Sequence, residues 1–194
     1  MKKVIRRHRV VDGTNPLSQL PIHPVLASVY ASRGIADSSE LELQTSQLLA
    51  PSQLLNADRA AQLLADQLSA NGRIVVVGDF DADGATSSAL AVIALRAFGA
   101  REVDYLVPNR FEFGYGLTPE IVSLALRASP TLIVTVDNGI SSIDGVAAAK
   151  QAGVATLVTD HHLAGDVLPD ADVIVNPNQP ACSFPSKNLA GVGV

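Results

Sequence analysis

The chain has 194 residues, 47% of them hydrophobic and 17% charged, with a formal net charge of −5. This length and composition exclude a disordered chain and allow one sizeable core, read as a single α/β domain with an appendage. The single cysteine, Cys182, excludes an intramolecular disulfide framework and agrees with a reducing compartment, the cytoplasm.

The N-terminus, MKKVIRRHRVVDG, carries Lys2, Lys3, Arg6, Arg7 and Arg9, five of the 14 basic residues, and reads as a solvated tail. No apolar stretch of signal-peptide length follows it, and no run elsewhere in the sequence is long enough to span a membrane. The remaining Lys and Arg are scattered, which excludes the broad basic stripe of a self-sufficient nucleic-acid binder. Either the substrate is small or its binding surface lies on another part of the protein.

Residues 1–57 read as a helical arm without chemistry. Residues 24–33 form one helix ending near Gly34, and Ser39 with Glu42 makes a capping-box start for another. A second domain, 58–194, opens with a helix over 58–70 whose apolar face is Ala61, Leu64, Ala65 and Leu68, stopped by Asn71-Gly72. A strand over 74–77 follows, then a helix over 85–98 whose only charged residue, Arg96, implies burial on most sides. The runs 103–107, 132–136, 155–158 and 173–175 are rich in β-branched residues and read as strands covered on both faces. Between them Thr118-Pro119 starts one helix, and Ser141 with Asp144 starts another that ends at Lys150 and Gly153. The alternation predicts an α/β fold built on a doubly wound parallel sheet.

Polar chemistry follows every core strand. After the first, GDFDADGATSS sets Asp79, Asp81 and Asp83 on alternate residues. On an extended chain their roots lie roughly 6–7 Å apart on one side. They repel by roughly 1 kcal/mol or more unless a cation lies between them. Asn109-Arg110 follow the second strand, Asp137-Asn138-Gly139 the third and Asp160-His161-His162 the fourth. The carboxyl ends of parallel strands share one edge, so these segments converge on one crevice. A helix cap explains one carboxylate per loop, not three in five residues joined by a further Asp and two His. Oxygen donors with imidazole and no thiolate favour Mn²⁺, Mg²⁺ or Zn²⁺, with imidazole tilting the choice to Mn²⁺. Two ions about 3.5–4 Å apart, sharing a carboxylate, form a device for hydrolysing phosphate esters.

Asp160-His161-His162, with Asp-x-Asp after the first strand and Asp-Asn-Gly after the third, resembles the DHH phosphoesterase superfamily. YASRGI, GDFDADGATS, YLVPNRFEFGYGL, LIVTVDNGISS, VTDHHL and NPNQPACSFPSKNLAGVGV resemble its single-stranded-DNA-specific exonuclease branch over nearly the whole chain. The resemblance implies a DHH phosphoesterase domain that removes nucleotides from the 5′ end of single-stranded DNA in recombination and mismatch repair. It implies two ions, Mn²⁺ or Mg²⁺, and as partners single-stranded DNA, a single-stranded-DNA-binding protein and a helicase, with no membrane. By position, Asp79 and Asp81 hold one metal, Asp83 and His161 the other, and Asp137 bridges them. His162 faces the scissile phosphate, Asp160 orients His161, and Asn138 joins the catalytic group. Arg110, beside Asn109, binds a phosphate oxygen.

The apolar finish at 188–194 reads as a cut. The resemblance implies a further metal-binding Asp, a second DHH-associated domain and an oligonucleotide-binding fold beyond it, so the chain alone is expected to be nearly inactive. Three alternatives stay open. One is a small-substrate phosphatase, pyrophosphatase or cyclic-dinucleotide hydrolase of the same superfamily. Another is a haloacid-dehalogenase-type phosphatase with Asp81 as covalent nucleophile, for which no later lysine and acidic pair can be placed. The third is a non-catalytic binding module, against which the full set of mutually repelling carboxylates argues.

Overall fold

The computed structural model describes residues 16–42 and 44–194. The basic N-terminal tail lies outside the described residues. Contacts group the chain into two compact units, 1–49 and 50–194.

In the first unit, helix α1 (Pro24–Ser32) starts with proline at its first position and His23 as N-cap, and Gly34 follows it at φ +83°. The capping box expected at Ser39 and Glu42 forms two residues earlier. Asp37 accepts from Ser39 N at 2.7 Å and Glu40 accepts from Asp37 N at 3.1 Å, around the 3₁₀ turn Ser38–Leu41. A carboxylate with a glutamate three residues on satisfies both orphan amides, which fixes the start there.

The second unit opens with α2 (Ala57–Ser69) and is built on strands β1 (Arg73–Val77), β2 (Glu102–Leu106), β3 (Leu132–Val136), β4 (Ala155–Thr159) and β5 (Val173–Val175). All pairings are parallel, in the order β2-β1-β3-β4-β5. Helices α3 (Ala82–Ala97), α4 (Arg110–Phe113), α5 (Pro119–Ala125) and α6 (Ile143–Gln151) complete it. Side chains alternate across the strands, so Ile74 and Val76 join Leu132, Val134, Val92 and Leu95 in the core under α2 and α3. Val75 and Val77 point the other way, into the core formed with Ile133 of β3, Ile121 and Val122 of α5 and Val146 of α6.

Three expectations need correction. β2 is not covered on both faces: Glu102, Asp104 and Tyr105 are exposed and only Val103 is buried. It is an edge strand, where charged side chains discourage further pairing. Helix α3 starts at Ala82, three residues before the expected start, because Asp81 caps it by accepting from Gly84 N at 3.0 Å. Asp79, Asp81 and Asp83 therefore do not lie along an extended chain; they occupy a loop, an N-cap and a first helical turn. Helix α6, expected to start on Ser141 with Asp144, starts at Ile143, and its N-cap, Ser142, makes no capping bond because its hydroxyl accepts from Leu117 N at 3.0 Å. Among the described residues no helix is long and apolar enough to cross a membrane.

The sheet order changes direction between β1 and β3, since the chain steps from β1 outward to β2 and then returns to the other side of β1. In open parallel sheets the crevice at the carboxyl ends of such a pair binds ligands. Asp79 follows β1 and Asp137 follows β3, so both carboxylates stand at that crevice.

Candidate metal centre and active site

Asp137 sits at the middle of the cluster. Its φ is +60°, a left-handed conformation that Asp and Asn tolerate better than bulkier residues, and its side chain is only 2% exposed. Burial, and then the charges of Asp83 and Asp81, push its pKa up to about 6, with His161 and His162 opposing. One oxygen of Asp137 lies within 4.8 Å of oxygens of Asp79 and Asp81, and Asp137 also forms such a group with nitrogens of His161 and His162. Asp137 is common to both sets.

His161 is held from behind. Its Nδ1 lies 2.7 Å from the Leu189 carbonyl, which can only accept, so Nδ1 carries the proton. Its Nε2 then faces Asp137 Oδ1 at 3.0 Å and Asp83 Oδ2 at 3.7 Å. Asp137 Oδ1 is buried without a hydrogen-bond donor among the described residues. A nitrogen lone pair and a carboxylate oxygen at that distance need a cation between them, either a proton or a metal ion. The carboxylate oxygens and imidazole nitrogen form a donor set suited to a hard or borderline divalent ion.

Asp83 also faces the C-terminal segment, accepting from Gly191 N at 2.7 Å and Val192 N at 2.8 Å. Gly191 is required there. A Cβ at that position would lie 2.5 Å from Asp137 Oδ1.

Asp160 departs from the expected role. Its Oδ1 lies 2.7 Å from His162 Nδ1, so it orients His162, while His161 is oriented by the Leu189 carbonyl. Asp160 also accepts from the backbone amides of His161, His162 and Ile140. The physical reason is local: side chains of adjacent residues leaving a strand diverge, and the ring two positions on turns back to the carboxylate.

Asn138, expected in the catalytic group, is 1% exposed. Its amide donates to Val77 O at 3.1 Å and Val136 O at 2.9 Å, which ties β1 to β3 at the crevice. Asn109, expected at the substrate, caps α4 by accepting from Phe111 N at 3.0 Å. Arg110 reaches the cluster, where its Nε donates to Asp79 Oδ1 at 3.0 Å and its Nη2 to Asp79 Oδ2. The hydrogen bond to Asp79 raises the pKa of the guanidinium further.

The sequence reading assigned no role to Tyr115. Its hydroxyl donates to Asp137 O at 3.2 Å and lies 3.2 Å from His162 Nδ1. Burial, and then the charge of Asp160, push its pKa well above the usual phenol range, so it stays protonated. Its only signal in the sequence was its place in the PNRFEFGYGL stretch. The Leu189 carbonyl and the Gly191 and Val192 amides are backbone groups and carry none.

Residues 73–194 match the DHH family, N-terminal domain. The chain belongs to the DHH family. This DHH chain is 53% identical to the single-stranded-DNA-specific exonuclease RecJ of Escherichia coli, over 100% of its own length and 34% of that protein. It thus spans about a third of the curated relatives that it matches. A crystal structure of exonuclease RecJ bound to manganese superimposes with a TM-score of 0.68 at 38% identity, covering 76% of the DHH chain and 37% of the other. RecJ from Thermus thermophilus in complex with Mn²⁺ gives 0.68 at 32% identity, over 93% and 25% respectively.

Proposed function

We propose that this chain is the metal-binding catalytic part of a single-stranded-DNA-specific exonuclease that degrades from the 5′ end by two-metal phosphodiester hydrolysis. The observation that carries the metal-dependent reading is the approach of His161 Nε2 to the donorless, buried Asp137 Oδ1 at 3.0 Å. The exonuclease reading is supported by the RecJ relatives. A cytoplasmic role in repair and recombination, with a single-stranded-DNA-binding protein and a helicase as partners, belongs to the same proposal.

The first ion would draw its ligands from Asp79, Asp81 and Asp137, and the second from Asp137, Asp83 and His161. Two divalent cations, Mn²⁺ or Mg²⁺, would supply there the charge that lowers the pKa of a water and neutralises phosphoryl oxygens. The other side chains serve the substrate. Arg110 offers a planar fork of donors to a phosphate oxygen. His162, with Nδ1 fixed on Asp160, presents Nε2 to exchange a proton at the scissile phosphate, and the Tyr115 hydroxyl restrains the ring. Stacking and phosphate contacts along the strand would come from other parts of a longer protein, since this chain has only 14 Lys and Arg.

The test is Mn²⁺-dependent digestion of single-stranded DNA labelled at either end, with a short dinucleotide as the competing substrate. Release of mononucleotides from the 5′ end by a longer form of the protein supports the proposal. Preference for the dinucleotide, or no dependence on the cation, refutes it.

A further inference from the structure

We propose that Phe80 and Phe111 are the stacking residues for the nucleobases on either side of the phosphate that Arg110 holds; this rests on the exonuclease reading above and names how that site takes its substrate. The first argument is exposure. Phe111 is 95% exposed and Phe80 55% exposed, although phenylalanine is among the residues most often found inside a folded chain. Apolar residues scattered singly over a surface are ordinary. These two are not scattered, since Phe80 stands between Asp79 and Asp81 in the chain and Phe111 directly follows Arg110.

The second argument is how the two rings are held. Helix α4 has four residues, and Arg110 and Phe113, three apart, share its inward side. Arg110 donates to Asp79, and Phe113 packs, partly buried, against the core formed with α5 and α6. Phe111 lies roughly 100° further round the helix and is left outside. Its amide donates to the Asn109 side chain at 3.0 Å, which fixes the backbone that carries the ring. The Phe80 ring has the Arg110 guanidinium carbon 4.3 Å from its centroid, and more than half of the residue stays open to solvent.

The third argument is chemical fit. Beside the rings lie the carboxylates of Asp79, Asp81 and Asp137 with the Arg110 guanidinium, so an anion enters there with cations and an arginine to meet it. A flat apolar ring next to such a centre suits a planar aromatic group carried by the same ligand. A nucleotide has both parts. Its phosphate goes to the ions and Arg110, and its base lies on a phenyl ring, where Phe80 continues a stack already begun by the guanidinium. Every base has a π-face, so stacking of this kind accepts any sequence, as an enzyme that shortens a strand nucleotide by nucleotide requires. The rings serve only the nucleotides at the cluster, and the rest of the strand still needs other parts of a longer protein.

The experiment measures binding of two 5′-phosphorylated dinucleotides to this chain in Mn²⁺, both joined by a phosphonate linkage that is not cleaved. One carries two thymines and the other is abasic at both positions. Affinity is read by calorimetry, and stacking by the upfield shift that a phenyl ring current gives the thymine methyl protons in NMR spectra. The unaltered chain should bind the thymine dinucleotide about tenfold more tightly than the abasic one. Phe80→Ala and Phe111→Ala should each lower affinity for the thymine dinucleotide about fivefold and remove the upfield shift of one methyl group. Both should leave the abasic dinucleotide and Mn²⁺ within about twofold, because neither ring meets phosphate or cation. Phe111→Trp should retain binding, and Phe98→Ala, which removes an exposed ring at the opposite end of α3 from the cluster, should change nothing. Equal affinity of the unaltered chain for the two dinucleotides overturns the proposal and leaves the exonuclease reading standing, and this comparison needs no variant to fold. Equal loss of both dinucleotides in Phe111→Ala also overturns it, as does an unmoved affinity, which would assign the exposed ring to contact with another part of a longer protein. If the unaltered chain binds neither dinucleotide, the exonuclease reading itself falls and takes this one with it.

Discussion

Replacing Asp137 with asparagine should make the cation-free protein more stable at neutral pH while removing its response to Mn²⁺. Asparagine keeps the shape and tolerates the left-handed backbone at φ +60°. The carboxyl is raised from 3.8 to about 6 in the folded chain. A rise of about two units corresponds to about 3 kcal/mol between protonation states. Because the folded value lies above the unfolded one, this contribution is fully present below about pH 4 and is lost as pH rises through about 6. At pH 8 the ionised, buried carboxylate therefore costs the wild type on the order of 3 kcal/mol, and the lost contact with His161 reduces the net gain of the variant to about 2 kcal/mol. For a chain of this length that is a rise in Tm of about 4–8 °C. Thermal unfolding in a chelating buffer at pH 4.5, 6 and 8 measures it, and the gap between the two proteins should open with pH. Saturating Mn²⁺ should reverse the order, since a ligand at about a hundred times its Kd adds about 2.7 kcal/mol to the wild type only. A variant less stable than wild type at pH 8 without cation, or a gap that does not change with pH, would refute the reasoning.

Asp160→Asn should lower stability by about 3 kcal/mol even without cation, because three backbone amides and His162 lose a charged acceptor; chemical denaturation in a chelating buffer reads this. Gly191→Ala should weaken Mn²⁺ about tenfold or more without altering any ligand, as the new methyl group meets Asp137; calorimetry with a melting curve as control measures it. Tyr115→Phe, in a longer and active form of the protein, should lower kcat about tenfold and leave KM for Mn²⁺ nearly unchanged, because the lost hydroxyl acts on the His162 ring. This chain should degrade single-stranded DNA about a thousandfold or more slowly than the longer form, since positioning of the strand is lost; a rate within tenfold would contradict that.

The parallel sheet was legible because β1, β3 and β4 are apolar and β-branched along most of their length, the signature of strands with both faces covered. β2 differs: Glu102 and Asp104 interrupt its apolar pattern, and Asp104 within the run 103–107 was the signal of an exposed edge that the reading as a doubly covered strand passed over. The start of α3 was missed for a different reason. Alternate aspartates suggested an extended chain, but Asp81 with Gly84 three residues on is also a capping pattern, and the hydrogen bond decided between them. The site's carboxylates and histidines were all nameable from residue type and position after the strands. Their pairing was not. That Asp160 takes His162 depends on the local turn of the chain after β4, and that Leu189 takes His161 depends on how loops 28 residues apart pack together.

The bond from Gly191 to Asp83 spans 108 residues. On a ribosome, the acidic segment therefore precedes its closing partner by that length of chain, on the order of 5–20 s of synthesis. During most of that interval Asp79, Asp81 and Asp83 repel one another before His161 is made, and until its end without the Leu189 carbonyl and the Gly191 amide to organise them. The nascent segment has no reason to capture a cation early, and the clustered charge keeps it hydrated and apart from other chains. Cation uptake then follows docking of the segment that carries Leu189 and Gly191, so the first appearance of tight Mn²⁺ binding during refolding should lag the formation of the sheet.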